Sequence, residues 1–528
     1  MGLTTNKKKD VVVVWFKRDL RVTDHAPLVA AVASELPVLP LYVVETDYWK
    51  QPVASRRHWC FIRDCLEELS QTLEALGQSL IIQVAEDAVS AFNRISSHVS
   101  IRHIYAHEET GNDWTYQRDK RVHQWCQSQH VVFSEYPHNG VVRRLKSRDH
   151  WSAIRNQRMS EAVIDAPERL IPVCVGGFSD DLPSKTAAYF GDPVLGVVQK
   201  GGRWQAQHTL KRFLCAHAKH YLYHISAPGA SETYCSRLST FLAYGVLSVR
   251  EVINALDQRL SVMDPEEKRS WSRSLSAFRS RLSWRDHFIQ KIEDQPSIEY
   301  QCMHRDCESM RPRPGNLVFY DAWVKGQTGY PLIDACMRNL VYNGWITFRM
   351  RAMLVSFASY HLWLDWRETG HHLARTFTDY EPGIHYSQLQ MQSGVTGINA
   401  LRIYSPIKQS QEHDPEGQFI KRWVPELANV PEAFIHEPWT MPPLIQKECG
   451  VIIDRDYPGP IVDHKEAIAY AREQISATRK KADFKSTAGK VYQKLGSRKR
   501  PPQRKKTSKS TKKKQDDDQL SMDLGDSG

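Results

Sequence analysis

The chain has 528 residues, 41% of them hydrophobic, with 71 Lys and Arg against 60 Asp and Glu and a formal net charge of +11. This length provides for two or more domains with substantial cores. The longest obvious apolar run, residues 11–16, falls far short of the ~20 that cross a bilayer, and MGLTTNKKKD does not lead into a signal-peptide core, so membrane insertion and export are disfavoured and a cytoplasmic protein is expected.

Ten cysteines are scattered, and the closest pairs, Cys60 with Cys65 and Cys302 with Cys307, lack companions at zinc or iron-sulfur spacing. They read as reduced thiols, with no metal site. The positive charge is concentrated. Residues 498–514 carry ten Lys or Arg and no acid, and Asp516, Asp517, Asp518, Asp523 and Asp526 follow. The body is therefore nearly neutral, and any nucleic-acid surface on it must be a local patch.

In chain order, VVVVWF at 11–16 is β-branched and reads as a buried strand. Thr23 or Asp24 offers an N-cap for the next helix, with Pro27 near its first turn. Further strands are predicted at 37–44, 79–85, 101–107 and 130–136, with helical patterns between them, RRHWCFIRDCLEELSQTLEAL being the clearest. Alternation of this kind predicts an α/β domain with a doubly wound parallel sheet over residues 1–137. No GxGxxG follows the first strand, so it is not a standard dinucleotide domain. Residues 138–205, rich in Pro, Gly and Ser, read as a connector, and residues 206–475 as an all-α domain. From 476 to 528 apolar periodicity fades into Lys, Ser, Thr and Asp, which predicts a disordered tail.

Within the helical part, residues 326–406 set Arg349, Arg351 and Asp379 among apolar and aromatic residues. Buried charges need partners. Either these face inward toward a phosphorylated aromatic ligand, or the arginines lie on a solvated helix face. Upstream, Ser236, Arg237, Leu238 and Ser239 make either an anion-binding helix start or simply a capped helix.

GQTGYPLIDACMRNL, followed by GW, RxR, SF and LDWR, resembles the flavin-binding domain of the cryptochrome/photolyase family. WFKRDLRVTDHAPL is similar to the opening of the family's N-terminal domain, with His25 where Asn is usual, and the stretches at 410–439 and 457–467 match the domain's end. The resemblance implies bound FAD. It assigns Tyr223, Ser236, Arg237, Leu238 and Ser239 to the diphosphate, and Arg285, Arg349, Arg351, Asp379 and Glu381 to the cofactor's surroundings. Trp284 is assigned to the cavity leading to the flavin, and Trp366 to the surviving member of a three-tryptophan electron relay. His385 falls near flavin N5, where an imidazole with an unperturbed pKa of about 6.5 would titrate near neutral pH. An antenna chromophore of unknown identity is implied for the N-terminal domain.

Departures from the family pattern carry further information. Arg281 stands where enzymes acting on cyclobutane dimers have a Glu that hydrogen-bonds the damaged bases, and a cation cannot accept those bonds. Leu389 and Arg313 stand near the other two relay tryptophans, Met391 replaces a substrate-facing Trp, and Phe348 replaces an Asn. Trp345, Trp363, Tyr360 and Tyr386 are either another electron route or packing aromatics. The expected function is a photolyase-type lyase that repairs pyrimidine photolesions in DNA by light-driven electron transfer from reduced flavin. The alternative is a blue-light photoreceptor without repair activity. The basic segment is expected to touch DNA phosphates nonspecifically. At the tail's end Gln519, with Leu520, Met522 and Leu524, resembles a peptide that docks on the replication sliding clamp.

Overall fold

The computed structural model describes residues 8–174 and 177–498. Strands β1 (Asp10–Phe16), β2 (Val38–Glu45), β3 (Ile81–Ala85), β4 (Ser100–His107) and β5 (Val132–Tyr136) form one sheet in the order β3-β2-β1-β4-β5. Every pairing is parallel. In β1, Val11 to Phe16 are each no more than 1% exposed, because helices cover both faces of the sheet. Val11, Val13 and Trp15 pack toward α3 (Ala88–His98) and α4 (Asp113–Ser128). Val12, Val14 and Phe16 pack toward α1 (Ala26–Val32) and α2 (Arg56–Ala75), in a core that continues into the helical domain. The cap of α1 differs from expectation. His25, not Thr23 or Asp24, occupies it, its Nδ1 accepting from the Leu28 amide at 3.1 Å.

Two arginines in the loop after β1 join the domains. Arg18 donates to the carbonyls of Ala243 (2.8 Å) and Tyr380 (2.7 Å), and Arg21 donates to that of Gly245 (2.8 Å). Gly245 has φ +61°, and a Cβ there would lie 2.1 Å from the Arg18 carbonyl oxygen, so the junction requires glycine.

The connector contains the α-helix α5 (Trp151–Ser160), whose Arg155 pairs with buried Asp286 at 2.8 Å. The helical domain begins with α6 (Arg203–Arg212), three residues before the expected boundary. It continues through α7 (Ser239–Ala243), α8 (Pro265–Asp294), α9 (Pro331–Asn343), α10 (Phe348–Ser356), α11 (Trp366–Thr376) and α12 (Pro382–Gln392). The thirty-residue α8 starts with Pro265 at its first position, and the Asp264 carboxylate accepts from the amides of Glu266 and Glu267.

The tail expected from residue 476 is instead helical to Leu495. Helix α13 (His464–Arg479) is followed by α14 (Phe484–Leu495), which buries Phe484, Val491 and Leu495. Phe484 also stacks on His304 with centroids 3.8 Å apart. A polar composition concealed apolar residues at i, i+7 and i+11, which fall on one helix face. The remainder of the basic segment after Arg498, and Gln519 to Leu524, lie outside the described residues. No helix among those described is long and apolar enough to cross a membrane.

Candidate functional site

Helices α8, α10 and α12, with the loop before α7, enclose a cavity of about 300 Å³. Residues Ser236, Arg237, Leu238, Ser239, Trp284, Arg285, Arg351, Asp379, Glu381 and His385 line it, as do Arg281 and Leu389. Local geometry explains the gathering. Arg281, Trp284, Arg285 and Phe288 recur at i, i+3, i+4 and i+7 on α8, and His385, Gln388, Leu389 and Gln392 repeat that spacing on α12, so each set shares one face.

Two residues assigned to the cofactor, Arg349 and Tyr223, are not in the lining, and Trp366, assigned to the electron relay, stands outside it too. Arg349 is two positions from Arg351 on α10, about 200° around the helix, so both cannot face the cavity, and its guanidinium lies 5.7 Å from the Tyr404 ring. Tyr223 is 65% exposed and outside the lining. Trp366 is fully buried behind the wall, its Nε1–H directed at Cys302 Sγ (3.4 Å) and its ring 6.4 Å from that of Tyr386.

The cavity's charges fall into two classes. Arg351 grips Asp379 with two bonds of 3.0 and 2.9 Å, and Arg285 donates to Glu381 at 2.8 Å. Burial works to raise the Asp379 carboxyl, but the Arg351 guanidinium outweighs it and holds the group below its ordinary value. Arg237 and Arg281 have no carboxylate in ion-pair contact among the described residues; each guanidinium instead lies 4.0 Å over an indole, Trp345 and Trp284 respectively. Burial, opposed by the more distant Asp379 and Glu232, lowers Arg237 to about 10. Its φ of +56° holds the Ser236–Arg237 turn in the left-handed region. Helix α7 is only five residues long, so the positive charge here comes chiefly from Arg237 and little from a helix dipole.

His385 does not titrate near neutrality as expected. Burial drives it down to about 3, and its Nε2 lies 2.9 Å from the Gly370 carbonyl, which it reaches as a donor, fixing the neutral tautomer. Tyr380, whose ring is 5.2 Å from that of His385, and Gln388 and Gln392 line the cavity but were missed by motif reading. The helical spacing from His385 to Gln392 was the available signal for the two glutamines.

These residues fit a flavin dinucleotide. Arg237 offers positive charge without a carboxylate in contact for a diphosphate, Leu238, Phe377 and Leu389 supply apolar wall, and Arg285 Nε and Gln392 Oε1 are buried without hydrogen-bond partners among the described residues. Unmet polar atoms are costly unless a ligand satisfies them.

Two features of the sheet domain were candidates for other ligands. Asp19 Oδ2 meets His25 Nε2 (3.0 Å) and His107 Nδ1 (2.7 Å). Because His25 Nδ1 is already the acceptor capping α1, its proton sits on Nε2, leaving no lone pair for a metal. At the carboxyl ends of the strands, where ligands of such sheets bind, a crevice of about 70 Å³ adjoins the Glu45–Arg118 pair (3.0 Å).

Residues 278–477 match the family model described as the FAD binding domain of DNA photolyase, and residues 12–148 match the one described as DNA photolyase. The deoxyribodipyrimidine photo-lyase of Vibrio cholerae is 27% identical over 473 residues, covering 86% of this chain and 97% of that protein. Cryptochrome-2 of Arabidopsis thaliana is 27% identical over 489 residues, covering 88% and 79%. The crystal structure of a bacterial class III photolyase from Agrobacterium tumefaciens matches with a TM-score of 0.77 at 26% identity, over 91% of this chain and 100% of that one. With both of its domains matched in order, and a helical cavity suited to the cofactor, this chain belongs to the cryptochrome/photolyase family.

Proposed function

We propose that the protein is a light-driven flavoenzyme that repairs pyrimidine photolesions in DNA. The observation that carries this reading is the cavity's gradient of exposure. Asp379, Glu381 and His385 on its floor are at most 9% exposed, whereas Phe348 at its edge is 43% exposed and Arg281 and Trp284 are only partly buried. A cofactor fits the floor, and a second planar ligand can enter from outside. A damaged base must leave the duplex stack to do so, and Trp284 offers an indole against which it can rest.

FAD, when bound and reduced, supplies the light absorption and the electron. The chain's own residues do the rest. Arg237 would offset the charge of a bound diphosphate, the Arg351–Asp379 and Arg285–Glu381 pairs would hold fixed charges in the cavity wall, and Phe377 and Leu389 would exclude water. His385, neutral and bonded to Gly370, orients without exchanging protons near neutral pH. The basic segment beginning at Arg498 adds salt-sensitive contact with DNA phosphates, and Gln519 to Leu524 would tether the enzyme to a sliding clamp. An antenna pigment, if the sheet domain holds one, would lie at the crevice beside the Glu45–Arg118 pair.

The second reading, a photoreceptor without turnover, is favoured by Leu389 in the cavity wall and Arg281 on its rim, and by the presence of cryptochromes among the relatives. Illumination of the reduced protein with oligonucleotides carrying single cyclobutane or (6-4) lesions separates the two. Restoration of any lesion in light but not in darkness supports the enzyme. Intact photochemistry with no lesion restored and no DNA bound supports the receptor.

A further inference from the structure

Arg281 is the cavity cation whose purpose the cofactor does not explain. It lies one turn before Trp284 on α8, partly buried, with its guanidinium 4.0 Å over that indole. The two acid-paired arginines, Arg285 and Arg351, have their charge spent within the protein, and Arg237 is stacked on a different indole, that of Trp345. Tyr221, a neutral phenol within hydrogen-bond reach, and the Cys235 thiol are polar groups beside Arg281, and neither neutralises its charge. A guanidinium held over an indole keeps N–H donors in a planar fork, which pairs bidentately with two neighbouring acceptors.

Resting on the repair reading above, we propose that Arg281 is the specificity-determining residue of the cavity, selecting a base edge with two adjacent acceptors, a ring nitrogen beside a carbonyl oxygen. The pairing edge of thymine places an N3–H between two carbonyls, and a donor fork meets that N–H with another donor. One bond is lost and a buried N–H is left unmatched. Cytosine presents N3 and O2 side by side as acceptors. The pyrimidone ring of a (6-4) product presents the same pair. Both sources share the chemistry that Arg281 recognises, and Phe348 at the edge adds apolar surface without a competing amide.

The test is dark binding of the flavin-loaded protein, by fluorescence anisotropy at one fixed salt concentration, to oligonucleotides that differ only at a single site. The probes carry a thymine-thymine cyclobutane dimer, a freshly prepared cytosine-containing cyclobutane dimer, a thymine-thymine (6-4) product, or no damage. The wild-type protein is expected to bind one or both acceptor-edge lesions at least about ten-fold more tightly than the thymine cyclobutane dimer, the scale of a good bidentate contact. The cytosine and pyrimidone arms distinguish the source. Compared at equal flavin loading, Arg281→Glu is expected to reverse the order, and Arg281→Gln, a milder change, to flatten it; an order that Arg281→Glu leaves unchanged overturns the inference. Equal binding of all lesions by the wild type overturns the inference, as does an Arg281→Glu effect of the same factor on every DNA, which marks a phosphate contact. If no lesion is bound better than undamaged DNA, the repair reading itself falls, and the inference with it.

Discussion

Replacing Arg237 with Met should move stability and cofactor binding in opposite directions. The guanidinium is half-buried, lies over the Trp345 ring, and is lowered by burial from its ordinary value to about 10. At 1.36 kcal/mol per pKa unit, that shift corresponds to about 3 kcal/mol of unfavourable environment for the charge in the flavin-free protein. The stacking contact returns about 1 kcal/mol, and Met keeps much of the stem's packing. Flavin-stripped Arg237→Met should therefore be about 2 kcal/mol more stable than wild type in urea unfolding. Binding should change in the other direction, since charge-assisted bonds to phosphate contribute about 1.5–3 kcal/mol, so FAD affinity should fall by roughly 10- to 150-fold. Quenching of flavin fluorescence on titration reads this directly. A flavin-stripped variant less stable than wild type, or FAD affinity within two-fold of it, would refute the assignment of Arg237 as an uncompensated cation kept for the cofactor.

Other predictions concern the cavity floor, the domain junction and the last helix. Asp379→Asn leaves Arg351 without its acid partner; because that guanidinium side chain is 23% exposed, the loss should be about 2 kcal/mol, below the 3–5 of fully buried pairs, and calorimetry checks it. For His385 the native pKa of about 3 lies below the unfolded value, so between the two the unfolded chain binds the extra proton and stability falls as pH drops through 6.5. Relative to His385→Asn, the wild type should lose about 1 kcal/mol from pH 6.5 to 5.5, and parallel denaturation curves at those pH values would contradict the burial. Gly245→Ala forces a Cβ against the Arg18 carbonyl at a positive φ, and should cost more than about 2 kcal/mol, read from the thermal midpoint. Leu495→Ala should cost about 2–3 kcal/mol if α14 unfolds with the domain; no change in the denaturant midpoint would show that the helix is uncoupled from the core.

The sheet was legible because β-branched runs alternate with amphipathic helices, and VVVVWF carries no polar residue to suggest an exposed face. The cavity was legible in its charged residues, whose burial required partners, and helical spacing carries the rest of the signal. Arg349 and Arg351 cannot share a face two residues apart, and Gln388 and Gln392 belong with His385 by the same geometry. Helix α14 was concealed because three apolar anchors are diluted by Lys, Ser and Thr. The state of His385 was beyond sequence reading, since its pKa follows from complete burial and one carbonyl 15 residues away.

On the proposed reading the cavity holds FAD through Arg237 and the Arg351–Asp379 pair. The most direct measurement is cofactor stoichiometry: load the purified protein with FAD, remove excess, denature it, and quantify what is released. One FAD per chain is predicted for the wild type, falling sharply in Arg237→Met and Asp379→Asn. No FAD retained by the folded wild type, or full retention by both variants, would contradict the account.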